Sequence, residues 1–196
     1  SVRLRHSTPL LSPFLVYAPS FDELELRLRS DRESTHSSQE LVDALNALSW
    51  AVRKKDPQGS LGLAAEAREN AREFLYEIGL GWALRNSGHA HYRLADYTVA
   101  LAESLEALEI FGRLGLDEGR ASAAGGVGMA YTRLADYARG LRFHRESLRI
   151  RREMGDSAGE GASLNNLGVI HFELADYPVA LEHCQVVLTA TGIAGS

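Results

Sequence analysis

One cysteine, Cys184, in 196 residues leaves no way to form an internal disulfide, and a reducing compartment is the expectation. No apolar run approaches the roughly 18 residues that a bilayer-spanning helix needs. The longest early apolar stretch, Leu10 to Ala18, is broken by Pro13 and lacks the charge-then-apolar layout of a signal peptide. An excess of cations is also missing. Lys and Arg number 21 against 26 Asp and Glu, a formal charge of −5, and this argues against an electrostatic footprint for nucleic acid. A cytoplasmic chain is expected, and one that opens on Ser1 is expected to be a piece of something longer.

Catalytic signatures are equally scarce. Gly125-Gly126-Val127-Gly128 lies inside a predicted helix and follows no strand, so it cannot serve as a phosphate cradle. His89 and His91 stand two apart and point to different helix faces, which rules out an i, i+4 pair of metal ligands. His91 and His171 fall on equivalent packing positions, and Cys184 is expected on a buried stripe as a small hydrophobe. Neither catalysis, a cofactor nor a metal is expected.

What the chain does have is a period. Leu94-Ala95-Asp96-Tyr97 returns as Leu134-Ala135-Asp136-Tyr137 and as Leu174-Ala175-Asp176-Tyr177, forty residues apart each time. Gly88, Gly128 and Gly168 superpose on the same shift, as do Leu101, Leu141 and Leu181. A fixed period of this size marks a solenoid of stacked helical hairpins. The shift also reaches back, with Asp56 matching Asp96 and Trp50 standing in the place of Ala90, Ala130 and Ile170. Four units follow, about 41–80, 81–120, 121–160 and 161–196, after an N-terminal extension over 1–40 with a short helix near residues 20–28.

Each unit reads as two helices around a short turn. Trp82, Arg85, His89, Tyr92 and Arg93 share one helical face. Asp96 suits an N-cap, and Asp56-Pro57 repeats that arrangement with proline at the first helical position. Leu101, Ser104 and Leu108, echoed by Leu181, Cys184 and Leu188, form the inward stripe of the second helix. The three aligned glycines allow Ala100, Gly140 and Ala180 to approach closely, which offsets the helix propensity that glycine lacks. In the quartet itself, Leu is expected to be packed and Tyr to cover the seam.

These residues resemble the tetratricopeptide repeat, whose usual unit is about 34 residues. Gly88, Gly128 and Gly168 take its small eighth position, Ala100 and Ala180 its twentieth, and the quartet sits at its turn. The forty-residue period is similar to that of the Pins/LGN adaptors, Rap-like regulators and repeat segments of bacterial signalling proteins. The resemblance implies an all-α, right-handed superhelical solenoid of about four hairpins. It also implies a non-catalytic module that binds a protein or peptide on its concave face. Carried over by position, that groove would hold Trp82, Arg85, His89, Tyr92, Arg93, Met129, Arg133, Asn165 and Phe172. Its arginines suit an acidic segment, because guanidinium pairs bidentately with carboxylate. The alternative is a sensory or dimerisation domain of a larger signalling protein, with a homodimer through the uncapped repeat end.

Overall fold

The structure is a computed structural model that describes residues 38–190. The expected helix near 20–28 lies outside the described residues. Among them are eight α-helices and no strand: α1 Ser38–Val52, α2 Pro57–Glu73, α3 Glu77–Arg93, α4 Tyr97–Leu114, α5 Asp117–Arg133, α6 Tyr137–Met154, α7 Ser157–Glu173 and α8 Tyr177–Ala190. Odd-numbered helices open each hairpin and even-numbered helices close it. Every helix packs on its neighbours in sequence, and each odd helix also touches the next odd one. The result is an all-α repeat solenoid.

The turns explain the period. Ala95, Ala135 and Ala175 adopt left-handed backbone with φ of 66°, 60° and 59°. In that conformation the chain turns back, and the next N–H reaches the carbonyl five residues earlier, as Asp96 N does to His91 O at 2.9 Å and Asp176 N to His171 O at 2.8 Å. The turns after α4 and α6 do the same with Gly115 and Gly155, and the turn after α2 does it with Leu75 at φ 52°. The quartet's leucines, Leu94, Leu134 and Leu174, sit just past the helix ends and are 36%, 41% and 48% exposed. They are not packed, because the left-handed residue that follows swings the chain outward.

Helix starts use the aspartates unevenly. Asp56 accepts from Gly59 N at 2.8 Å ahead of Pro57, and Asp136 accepts from Arg139 N at 3.1 Å. Asp96 does not cap α4 as expected. Its carboxylate faces His91 Nδ1 at 3.4 Å, and Asp176 faces His171 at 3.2 Å. Where Tyr131 replaces the histidine, no imidazole competes and the aspartate caps.

Close approach of the helices uses the small residues. A side chain at Gly119 would meet the Phe111 ring at 2.4 Å, and one at Gly128 would meet the His144 ring at 2.8 Å. Phe111 is fully buried and joins Leu84, Ala107, Ile110 and Ala123 in a cluster spanning α3, α4 and α5. Leu141 packs against Leu148, Leu164 and Leu167, so α7 covers α6. The equivalent face of α8 is bare among the described residues. Leu181 is 58% exposed and Cys184 is exposed too, so these two positions of the expected inward stripe are not buried.

Two stability differences follow. Leu75 is 88% exposed, so Leu75→Gly removes left-handed strain without losing packing and should raise stability by about 1 kcal/mol in urea unfolding. Leu141→Ala should cost about 1–2 kcal/mol, whereas Leu181→Ala, at the same repeat position, should change stability by less than about 0.5 kcal/mol.

Candidate functional site

Five of the nine expected groove residues line two cavities. The first, about 170 Å³, is lined by Trp50, Trp82, Arg85, Glu118, Ser122, Arg151 and Asp156, among others. The guanidinium of Arg85 lies 3.7 Å from the Trp50 ring centroid and 4.7 Å from that of Trp82. Trp82 in turn leans on buried Phe111 at 4.9 Å, which fixes the indole. Arg85 donates to Asn86 Oδ1 at 2.8 Å, while its Nε finds no partner. Asn86 is itself held, since its amide donates to Asn46 O at 2.9 Å across the α1–α3 seam. Burial, reinforced by the like charge of Arg53, pulls Arg85 down to about 9, and it remains a cation at neutral pH.

His89 stands edge-on to Trp50 at 5.3 Å. Burial, with Arg53 and Arg85 adding to it, pushes its pKa down to about 4. Its ring is therefore neutral at pH 7 and adds no charge to the cluster.

The second cavity, about 220 Å³, opens between α5 and α7 and is lined by Tyr92, Met129, Arg133, Tyr137, His144, Asn166, Val169 and Glu173, among others. α5 and α7 approach each other over less of their length than α3 and α5 do. Arg133 is steered by Tyr97, whose hydroxyl accepts from its Nη2 at 3.0 Å and Nε at 3.2 Å. The quartet tyrosine thus reaches forward to the next odd helix. His144 is buried, with Nδ1 lacking a hydrogen-bond partner, and burial lowers its pKa to about 4.

Of the nine expected residues, Trp82 and Arg85 share the first cavity, and Tyr92, Met129 and Arg133 share the second. His89 packs on Trp50 beside the first cavity. Arg93 and Asn165 are exposed and line neither; the neighbouring Asn166 takes the lining position. Phe172 is 61% exposed and lies edge-on to Tyr177 at 5.5 Å, outside both. Sequence reasoning missed Trp50, Glu118 and Arg151. Trp50 did carry a signal, being an indole where the other units hold Ala or Ile. Among the described residues no group of three or more His, Cys, Asp and Glu could hold a metal, and no helix is long and apolar enough to cross a membrane.

Hairpins stacked in this way define a helical-repeat solenoid. The tetratricopeptide repeat model matches residues 79–153 and 119–190, and the chain belongs to the tetratricopeptide repeat family. Among solved structures it is similar to BtubC (BKLC) of P. vanneervenii, with 20% identity, a TM-score of 0.73, and coverage of 90% of this chain and 74% of that one. It is similar to a Rap protein complexed with competence and sporulation factor, with 16% identity, a TM-score of 0.79, and coverage of 88% and 48%. A STAND signal-transduction ATPase with a tetratricopeptide repeat sensor, from Pyrococcus horikoshii, aligns at 18% identity and a TM-score of 0.70, covering 87% of this chain and 26% of that one. The chain thus spans less than half the length of the last two. At these identities the likeness shows the fold. No curated protein matches the chain.

The depressed histidines set a pH dependence. Both stay neutral when folded, whereas an unfolded histidine titrates near 6.5. The unfolded state therefore takes up protons first, and stability present above pH 6.5 drains away as the pH falls toward 4. His144→Gln should flatten this loss by on the order of 2 kcal/mol at pH 4.5, read as a smaller drop in melting temperature relative to pH 7.5.

Proposed function

We propose that the chain is a non-catalytic, cytoplasmic module that holds a protein or peptide segment of acidic character along the concave face formed by α1, α3, α5 and α7. The observation that carries this reading is the row of cationic and aromatic groups on successive odd helices. Arg53 and Trp50 come from α1 and its end, Trp82 and Arg85 from α3, and Arg133 from α5, with a cavity on each side of the row's middle. Neither Arg53 nor Arg85 forms an ion pair among the described residues. A guanidinium without an ion pair beside a cavity favours a carboxylate from outside. The solved Rap complex with competence and sporulation factor supports the use of this fold to hold a partner.

Binding of the purified chain to an array of capped peptides, half of them rich in Asp and Glu, tests the reading. Acidic peptides should be selected. The Arg85→Ala/Arg133→Ala double variant should bind them at least about tenfold more weakly, with unchanged helical circular dichroism. Selected peptides that bind the double variant as tightly would end the groove assignment.

A second reading makes this array the sensory part of a larger signalling protein. The STAND ATPase with its repeat sensor supports it, and so does the bare α8 face, on which a second copy would seat. A surrounding reading frame that codes for no further domain, together with a strict monomer in light scattering at high concentration, would remove this version.

A further inference from the structure

We propose that two copies of this chain meet through the outer face of their even-numbered helices, with α6 of each copy laid against α4 of the other. The distribution of charge along that face is uneven. Over its 18 residues α6 holds six arginines against two glutamates, whereas α4, also of 18 residues, holds three glutamates against one arginine. The net charge of −5 hides both. Arg142, Arg145, Arg149 and Arg152 are all exposed and, spaced by three, four and three, form the outward stripe of α6. On α4 the outward stripe is Ala102, Leu105, Glu106 and Glu109, again all exposed.

Pairing within the chain leaves part of each stripe unanswered. Arg149 and Arg152 have Glu153 and Glu160. Arg142 has the Phe143 ring at 5.5 Å, and neither it nor Arg145 forms an ion pair among the described residues. Glu109 forms none there either, and Glu106 meets Arg72 only at 4.0 Å. α4 and α6 run in the same direction without touching, so they stand as two ridges with a furrow between them. A twofold axis through the middle of that furrow carries each ridge onto the other with its direction reversed. In that register Glu109 falls opposite Arg142 and Glu106 opposite Arg145, while small Ala102 faces Arg149. Each opposition occurs twice, and the twofold closes the assembly at two copies. An unrelated acidic partner would answer the arginines and leave Glu106 and Glu109 unmet. A second copy answers both stripes, and the odd-helix face of each copy stays open.

Sedimentation equilibrium of the whole chain tests this. A monomer–dimer equilibrium is expected in about 0.02 M sodium chloride, weakened at least about tenfold in about 0.5 M, because exposed charges are screened. Arg142→Glu/Arg145→Glu should be monomeric, and so should Glu106→Arg/Glu109→Arg, both with unchanged circular dichroism. Mixing the two variants should restore a dimer, since the reversed stripes match each other again. An unmodified chain that stays monomeric at about 0.3 mM in low salt overturns the proposal, as does growth beyond two copies. A dimer that survives charge reversal lies on another face, such as that of α8, and overturns it too, as does a mixture that stays monomeric. Binding of acidic peptides lost in Arg142→Glu/Arg145→Glu, with the unmodified chain monomeric, gives the stripe to an acidic partner instead. Should a variant alter the circular dichroism, the unmodified chain decides, and self-association indifferent to salt overturns the proposal.

Discussion

Each reversal of the chain from α2 to α8 depends on one residue held in the left-handed region of backbone space. Leu75, Ala95, Gly115, Ala135, Gly155 and Ala175 follow one another at twenty-residue intervals, each with φ between 52° and 70°. Each lets the chain close one helix and launch the next in the opposite direction within two or three residues. The helices between them are therefore confined to 17 or 18 residues from α2 through α7. Equivalent side chains fall into line along the stack for this reason alone. Were one turn to slip, Arg85 and Arg133 would no longer share a face.

The turns also explain how much could be read in advance. Period, hairpin count and the fold class were legible because a repeated backbone geometry demands repeated letters, and the Leu-Ala-Asp-Tyr quartet supplies them. Trp82 and Arg85 were legible as neighbours too, since residues three apart share one face of a helix. What periodicity cannot supply is the identity of a residue's neighbour. Asp96 has the letters of a cap yet turns to His91, because a competing imidazole stands within reach in that unit and not in the third. Cys184 and Leu181 repeat buried positions yet are exposed, because burial belongs to the element that covers a face and not to the face itself. Asn165 and Asn166 differ by one step, about 100° around a helix, and the looser seam between α5 and α7 decides which of them meets the cavity. Trp50 was the hardest to place, since the first unit keeps the repeat only weakly and its indole reaches beyond its own hairpin.

Electrostatics sorts the two sides of the solenoid in a way that net charge conceals. Part of the basic face of α6 is answered locally, with Arg149 on Glu153 at 2.7 Å and Arg152 on Glu160 at 2.7 Å. Exposed pairs of this sort contribute little to stability. Arg68 is answered in the same way by Glu103 at 2.9 Å. On the odd-helix face Arg53 and Arg85 are stacked on rings instead, and a ring does not cancel a charge.

Trp50 hangs from α1 and Arg85 from α3, while Glu118 arrives with α5. Three successive repeats each contribute one wall, and none of them holds the pocket alone. A solenoid is springy along its axis, since each unit rests only on the next. Any change in its curvature must therefore open or pinch this space, and anything gripped there must resist that bending. The width of this space and the curvature of the stack are therefore set together by α1, α3 and α5.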